Sequence, residues 1–272
     1  MAVCLVNKEN YTKLKSRYTS LGVQFIFVVI CCISWQLYAT SRNIMGFPAL
    51  DVIVAHLIDS FTSTRQPILL YMAHSFILIV EGLAIGALTA VVLSGLSVVN
   101  NIIGSIYRLL ISIFDLLPGV ALLPILMITV GANDLSILIL VIHSVLWPMS
   151  RNIMDGFRMI PPTYIEAGKN YGLSIYGLLA GVYIPASFAN VLSGLKIGWA
   201  RAWRGLISAE MIFGAAQSAG IGVYINNART IWLDYPSVYG AIFLIIIVGV
   251  IVEYGFFHVI ESRTVKRWGM IR

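Results

Sequence analysis

The chain has 272 residues, of which 59% are hydrophobic and only 11% are charged, and its mean hydropathy is +0.89. This composition excludes a soluble globular domain and indicates a polytopic membrane protein. Because one spanning helix takes ~20 apolar residues, the length suits about six spans. The formal net charge of +6 is modest, and it reflects membrane orientation rather than nucleic-acid binding.

The amino-terminal region combines a basic tail with one apolar stretch. Residues 1–20 are polar and basic, and a first span is predicted at 21–40. Bulky residues at 35–38 stand where a signal peptide would carry a small-residue cleavage site, so we predict an uncleaved anchor. Residues 41–67 form an external connection that is long enough to hold a short helix on the membrane surface.

The second, third and fourth spans follow closely on one another. The second is predicted at 68–93, and its small residues, which favour close helix packing, are Gly82, Ala84, Gly86, Ala87 and Ala90. The third, at 109–130, contains two prolines and a glycine between 118 and 124, so it is predicted to be kinked or discontinuous. A tight turn then leads into the fourth span at 135–147.

A polar, glycine-rich stretch at 149–185 separates the two apolar halves of the chain. Its middle, 164–171, has the composition of a short solvent-facing helix. Pro161 and Pro162 precede this helix and Gly172 follows it, as proline and glycine commonly punctuate helices. We therefore predict a surface helix that a partner holds.

The rest of the chain supplies two further spans and the orientation. A fifth span is predicted at 186–213, a loop at 214–235 and a sixth span at 236–260. Lys and Arg accumulate in short cytoplasmic loops, and twelve of them fall on one predicted side against three on the other. The richer side holds both termini and the 149–185 stretch, which are therefore predicted to be cytoplasmic.

The fifth span carries three basic residues at membrane depth, Lys196, Arg201 and Arg204. Their spacing puts them on one side of a helix, and such groups are costly unless they face protein or water. One interpretation is that this face lines a translocation path and attracts an anionic solute. In the other, Lys196 snorkels to the surface and the arginines pair with Glu210 or Glu81.

Two more ionisable pairs lie seven residues apart on predicted spans. His74 and Glu81 could form a proton relay, or a buried pair that holds helices together. Asp115 is expected to make a local ion pair with Arg108. The candidate residues of a translocation path are Lys196, Arg201, Arg204, Glu210, Glu81 and His74.

Catalytic signatures are missing from the sequence. Gly168 and Lys169 are followed by Asn170 rather than Ser or Thr, so no Walker A loop is present and ATP hydrolysis by that machinery is excluded. The four histidines are far apart in sequence, and neither they nor the three cysteines have metal-ligand spacing. Gly220 and Gly222 alone do not make a dinucleotide site. We expect no catalytic residue, no metal and no cofactor on this chain.

The surface stretch resembles the EAA loop of ABC importer permeases. Glu166, Ala167 and Gly168 stand at its start, Gly172 follows six residues after Glu166, and Pro185 follows nineteen after it. Gly168 replaces the family's alanine, a change expected to weaken the helix by about 1 kcal/mol. The stretches that resemble the nitrate, sulfonate, taurine and bicarbonate branch of that family are 117–124, 147–156, 209–211, 220–222 and 261–268.

The resemblance covers about residues 68–268 and implies an all-α type I importer fold in a prokaryotic inner membrane. The chain would be one transmembrane domain, with 1–67 as tail, first span and external connection, 68–260 as permease core and 261–272 as cytoplasmic tail. The implied partners are a second permease copy, two ATP-binding cassette ATPase subunits that bind ATP and Mg, an extracytoplasmic solute-binding protein and the lipid bilayer.

The resemblance also assigns a function to the surface loop, which would couple ATP hydrolysis to inward transport of a small, anionic solute by alternating access. Among the loop residues, the two tyrosines, Ile165 and Leu173 are expected to contact the ATPase, while Glu166 could instead cap its own helix. The alternatives from other classes are a secondary transporter or channel driven by ion gradients, and an intramembrane hydrolase. The implied coupling residues are Tyr164, Ile165, Glu166, Ala167, Gly168, Tyr171, Gly172, Leu173 and Pro185.

Overall fold

The structure is a computed structural model that describes residues 2–42, 44–63, 67–214, 219–265 and 267, with side chains from residue 22 onward. Every regular element in these ranges is helical, which confirms the all-α prediction. The helices are α1 Ala2–Arg42, α2 Leu50–Thr62, α3 Ile68–Val99, α4 Asn101–Phe114, α5 Leu123–Thr129, α6 Asp134–Arg158, α7 Pro162–Asn170, α8 Ile175–Leu178, α9 Ile184–Ala186, α10 Phe188–Phe213, α11 Ile221–Thr230, α12 Tyr235–Val250 and α13 His258–Arg263.

Three irregular helical segments join these elements. A 3₁₀ helix, Gly119–Leu122, precedes α5, and π-helical segments at Leu179–Tyr183 and Ile251–Phe257 continue α8 into α9 and α12 into α13. The 3₁₀ helix and α5 lie at 91° to α4, so the third span is discontinuous as predicted. Pro118, which has no N–H to donate, stands at the break.

The number of membrane spans agrees with the sequence prediction. Four helical stretches are long and apolar enough to cross a membrane: Gly22–Arg42, Ile68–Val99, Asp134–Arg158 and Tyr235–Arg263. Two bent pairs of helices pass the same test together, one through the 91° break and one through a 69° bend before α10. The count reaches six when each bent pair is one span.

The centre of the bundle consists of α3, α6 and α10. Gly86 of α3 and Gly198 of α10 both face Val145 of α6. A Cβ added at Gly198 would lie 3.2 Å from the Cα of Val145. Small residues on both neighbours therefore let α6 pack closely between them. Further contacts, between Ser97 and Met154 and between Ser75 and Glu210, show that α3 runs parallel to α6 and antiparallel to α10. We call the two ends of the bundle the Glu210 end and the Arg158 end.

The predicted boundary at residue 149 is wrong, because α6 continues through Pro148 to Arg158. Met149, Ile153 and Phe157 are buried, and their spacing of four residues places them on one face of a helix. The apolar stripe keeps the chain helical after the proline, so the polar interruption begins only after Arg158.

The predicted loop at 214–235 is also corrected, since it contains α11. Ile221, Val223, Tyr224 and Ile225 of this helix are all buried, and a helix that is apolar around its circumference lies inside a protein. Tyr224 also shares a hydrogen bond with Ser60 of α2 at 3.0 Å. The Gly and Asn content of the segment hid this helix from the sequence analysis.

The short helix expected within 41–67 is confirmed as α2, which packs on α12. Its start is fixed to α1 by Gln36, whose side chain accepts from Leu50 N at 2.8 Å and donates to Asp51 at 2.9 Å. The hydrogen bond from Gln36 lowers the pKa of Asp51. The described side chains of α1, from residue 22 onward, include many exposed apolar ones, as expected of a helix in contact with lipid.

Candidate functional site

A cavity with a volume of about 410 Å³ lies at the break between α4 and the 3₁₀ helix. The break exists because Asp115 ends α4 and Pro118 then prevents its continuation. Helices α6 and α10 close the other sides. The lining residues that carry polar or aromatic groups are Phe114, Asp115, His143, Ser144, Trp147, Arg201, Arg204 and Ser208.

One carboxylate in this cavity is shared by two arginines. Asp115 lies 2.6 Å from Arg151 Nε and 2.6 Å from Arg201 Nη1, and its side chain is only 8% exposed. A carboxylate at a helix C-terminus meets the negative end of the helix dipole, so the two guanidinium groups offset that repulsion. They also tie the broken span to α6 and α10, and they leave the cluster with one excess positive charge.

Arg204 contributes a second positive charge to the same cavity. Its Nε donates to the carbonyl oxygen of Ala200 at 2.9 Å, and no carboxylate in the described part of the chain lies within ion-pair distance of it. An arginine presents five donors in a planar fork, and Arg204 lines the cavity, so its donors other than Nε are available to a ligand there. This is the group best placed to bind an anion.

The same cavity also has an aromatic wall. The rings of Phe114 and Trp147 are stacked with centroids 4.9 Å apart, and His143 meets both edge-on. Neither nitrogen of His143 nor Trp147 Nε1 has a hydrogen-bond partner among the described residues. A cavity with apolar walls and a few polar groups is the usual form of a small-molecule site.

The three basic residues of α10 do not act as one face. Lys196 pairs with Glu253 at 3.0 Å, which ties α10 to the last span and keeps Lys196 out of the cavity lining. Arg201 and Arg204 do line the cavity. Arg201 pairs with Asp115. Neither Arg201 nor Arg204 pairs with Glu210 or Glu81 in the described part of the chain.

Glu210 lies outside the cavity and caps α11. Its fully buried carboxylate accepts from Ser75 Oγ at 2.7 Å and from Gly222 N at 2.8 Å, while Ser75 Oγ accepts from Ile221 N at 2.8 Å. A Cβ on Gly220 would overlap the carboxylate. These residues satisfy the free N–H groups that begin α11, a role that the sequence analysis missed although both glycines were noticed.

The two pairs predicted at seven-residue spacing do not form. His74 Nε2 lies 3.1 Å from Asp134, Glu81 is exposed, and Asp115 pairs with Arg151 and Arg201 rather than with Arg108. Seven residues along a helix span ~10 Å, so a neighbouring helix offers a nearer partner.

The predicted surface helix is present as α7. Gly172 follows it with φ of +78°, the left-handed conformation that glycine adopts readily at helix ends, and Leu173 N bonds back to the carbonyl oxygen of Gly168 at 3.1 Å. Tyr164 and Tyr171 are 59% and 88% exposed, and Leu173 is also exposed.

The remaining loop residues have differing positions. Ile165 packs partly against the core, and Pro185 lies in α9, just before α10 begins. Glu166 is exposed, and the first turn of α7 contains no acidic residue, so the expected capping by Glu166 is not seen. Ala167 is exposed beside it.

Gly168 has a packing role that the sequence analysis did not foresee. It is buried, and a Cβ there would lie 2.6 Å from Leu178 Cδ2 and 3.4 Å from Leu173 and Val182. Glycine thus lets α7 approach α8 and the π-helical segment closely. The structure thus adds a close contact at Gly168 with Leu178, while the expectation that glycine weakens this helix stays a prediction.

These features define a class of protein: a multi-pass helical membrane protein with a broken span, a central cationic cavity and a helix exposed at one end of the bundle. The family model described as "binding-protein-dependent transport system inner membrane component" matches residues 82–266. Since the match covers more than half of the chain, the chain belongs to this family. It is accordingly a multi-pass protein of the inner membrane and the permease component of a transport system.

Relatives with related names match along much of the chain. A putative ABC transporter permease protein of Methanocaldococcus jannaschii is 23% identical over 97% of this chain and 98% of its own length. The taurine transport system permease protein of Escherichia coli is 27% identical over 62% of each chain. The nitrate import permease protein of Synechococcus elongatus is 28% identical over 62% of this chain and 60% of its own.

Proposed function

We propose that this permease carries a small anionic solute, of the sulfonate, taurine or nitrate kind, inward by alternating access. ATP hydrolysis on separate ATPase subunits drives the cycle. The single observation that carries the solute class is Arg204, a cation in the central cavity without a carboxylate partner among the described residues. The printed names of the relatives, taurine transport and nitrate import, support the same class.

The chemistry of the cavity suits such a solute. Guanidinium groups match the planar or tetrahedral oxygens of nitrate and sulfonate by paired hydrogen bonds. The Phe114 and Trp147 rings offer an apolar surface for the carbon chain of a sulfonate. A volume of about 410 Å³ lies within the usual range for small-molecule pockets, ~300–1,000 Å³.

The coupling part of the proposal concerns α7. The exposed Tyr164 of α7 and Tyr171 just after it are available to an ATPase subunit, which itself binds ATP and Mg. The bias of basic residues orients the Arg158 end and α7 toward the cytoplasm, and the Glu210 end toward the solute-binding protein. Two permease chains, either two copies or this chain with a close relative, complete the complex.

The test of the solute path is ATP-driven uptake of radiolabelled taurine or nitrate by the complete complex in proteoliposomes. Replacement of Arg204 with Gln should reduce uptake at least tenfold, which corresponds to ~1.4 kcal/mol of lost binding. Arg229→Gln, at an exposed position of α11, is the matched control. Unchanged uptake in Arg204→Gln would remove this residue from the path, and uptake by the chain alone without any ATPase would favour an ion-gradient transporter.

The coupling contact has its own test, Gly168→Ala. The added methyl group should displace Leu178 and shift α7, so that the complex hydrolyses ATP with less uptake per ATP. Gly181→Ala is the control, because a Cβ at Gly181 meets nothing within 4 Å. An unchanged ratio of uptake to hydrolysis in Gly168→Ala would show that the close approach of α7 is not needed for coupling.

A further inference from the structure

We propose that Asp115 is a tethered stand-in anion: it occupies an arginine site on the exit side of the central cavity, and the solute anion displaces it on the way out. This inference rests on the proposed function. Besides joining helices, Asp115 thereby keeps the exit of the cavity closed until a solute anion displaces it.

Asp115 lies between two cavities. The central cavity is lined by Asp115 and Arg201. A smaller cavity of about 70 Å³ is lined by three arginines and one acid, namely Arg108, Arg151, Arg158 and Asp155. Asp115 and Arg151 are 2.6 Å apart. Their ion pair therefore joins the wall of one cavity to the wall of the other.

The arginines follow one another along the bundle. On α10, Arg204 is one turn nearer the Glu210 end than Arg201, or ~4.5 Å. On α6, Arg151 precedes Arg158 by seven residues, or ~10 Å. An anion that leaves Arg204 toward the Arg158 end therefore meets the cluster of Arg201, Asp115 and Arg151 before it reaches the smaller cavity.

At this cluster one anion replaces another, and the displaced Asp115 carboxylate is hydrated in the cavity that it lines. Both a carboxylate and a sulfonate or nitrate form paired hydrogen bonds with guanidinium, so a solute can replace Asp115 without leaving either arginine unpaired. The side chains of Arg151 and Arg201 are 42% and 43% exposed, which gives them room to turn toward a new partner. Asp115 itself stands at the 91° break, where the chain is not constrained by a continuous helix.

The exchange would also link solute binding at the two arginines to movement of the broken span. When the solute holds the two arginines, α4 loses its ion pairs to α6 and α10, and the broken span is free to move. A ligand shifts such an equilibrium only through its different affinity for the two states, and competition with Asp115 supplies that difference. In the absence of solute the carboxylate keeps the arginine site filled and the exit closed.

The test uses the complete complex in proteoliposomes preloaded with labelled taurine or nitrate. Asp115→Asn removes the carboxylate that fills the arginine site. We therefore expect ATP-independent efflux at least tenfold above wild type. We also expect half-maximal stimulation of ATP hydrolysis at a lower solute concentration. Asp115→Glu keeps a carboxylate and should restore the closed exit. Asp59→Asn, at an exposed position of α2, controls for the loss of an acidic residue.

A purely structural ion pair predicts a different outcome, namely reduced assembly and uptake without any leak. Wild-type efflux and affinity in an assembled Asp115→Asn complex would overturn the inference. If that variant does not assemble, Arg201→Gln, which leaves Asp115 held by Arg151 alone, decides in its place: a leak supports the gate and its absence overturns it. ATP-driven uptake by the wild type reports separately on the proposed function.

Discussion

Two carboxylates in the described part of the bundle, those of Asp115 and Glu210, are held in opposite ways. Asp115 is bound by two guanidinium groups whose side chains are almost half exposed. Glu210 is fully buried and is held by a hydroxyl and a backbone N–H, with no cation among its described hydrogen-bond partners. The comparison shows that the same chemical group can be an exchangeable contact at one place and a fixed part of the fold at another.

The difference follows from what each carboxylate satisfies. Glu210 meets the positive end of the α11 dipole and the first free N–H groups of that helix, which act in place of a cation. Glu210 has no exposed surface, so loss of one of its oxygens leaves buried donors unpaired. The arginines around Asp115 border a cavity and can find other partners.

The largest loss of stability is expected from Gly222→Ala, because the added methyl group collides with the backbone next to Glu210. A Cβ there would lie 2.5 Å from the carbonyl oxygen of Ile207 and 2.9 Å from Met211 N, and neither backbone atom can move without bending α10. Overpacking costs ~1–3 kcal/mol, and two rigid backbone contacts place this variant at the upper end, about 3 kcal/mol. The measurement is the free energy of unfolding of the chain in detergent micelles titrated with SDS.

Gly249→Ala is the matched control for that variant, because its Cβ would meet Trp203 Nε1 at an ordinary 3.7 Å. Equal stability of the two variants would mean that α11 does not approach α10 as closely as described. The contrast between a fixed and an exchangeable carboxylate would then lose its basis.

A smaller loss is expected from Glu210→Ala, which removes the cap and leaves the backbone in place. The N–H of Gly222 and the hydroxyl of Ser75 lose their acceptor, and each such hydrogen bond contributes about 1–1.5 kcal/mol net. We expect a loss of about 2–3 kcal/mol in the same SDS titration. A loss below about 0.5 kcal/mol would show that water replaces the carboxylate, and that the site is less enclosed than the site of Asp115.

The sequence predicted the parts of this comparison that depend on local pattern. Apolar runs predicted the spans, Pro118 predicted the break in the third span, and Gly172 predicted the end of α7, because each follows from backbone chemistry near the residue itself. The presence of Arg201 and Arg204 on one side of a helix also followed from spacing alone.

The partners of the charged residues could not be predicted in this way. Asp115 meets Arg201 across 86 residues, and Ser75 meets Glu210 across 135, so both contacts depend on how α3, α6 and α10 pack. Spacing predicted ion pairs seven residues apart on one helix, whereas the structure forms ion pairs between helices. The glycines at 220 and 222 could have indicated the contact with Glu210. Paired glycines often mark a place where the backbone approaches another group closely.

The variant Asp115→Asn should cost much less stability than Glu210→Ala. Its arginines border a cavity and retain access to solvent, so the loss resembles that of a partly exposed ion pair, about 1 kcal/mol or less. The SDS titration of the two variants in parallel gives the comparison directly. A larger loss at Asp115 than at Glu210 would reverse the assignment of the exchangeable and the fixed carboxylate.

The smallest effect on stability is expected from Arg204→Gln, which removes a charge that no described carboxylate neutralises. The change lies within about 0.5 kcal/mol, as for substitutions away from packed or paired groups, and relief of repulsion from Arg201 could even make it favourable. Transport should nevertheless fall, because the solute loses its first cation. Stability and uptake measured on the same preparation separate the two effects: unchanged stability with lost uptake places Arg204 in the path. A stability loss above about 1 kcal/mol would instead make Arg204 part of the framework that holds Asp115, and the anion would then need another first contact in the cavity.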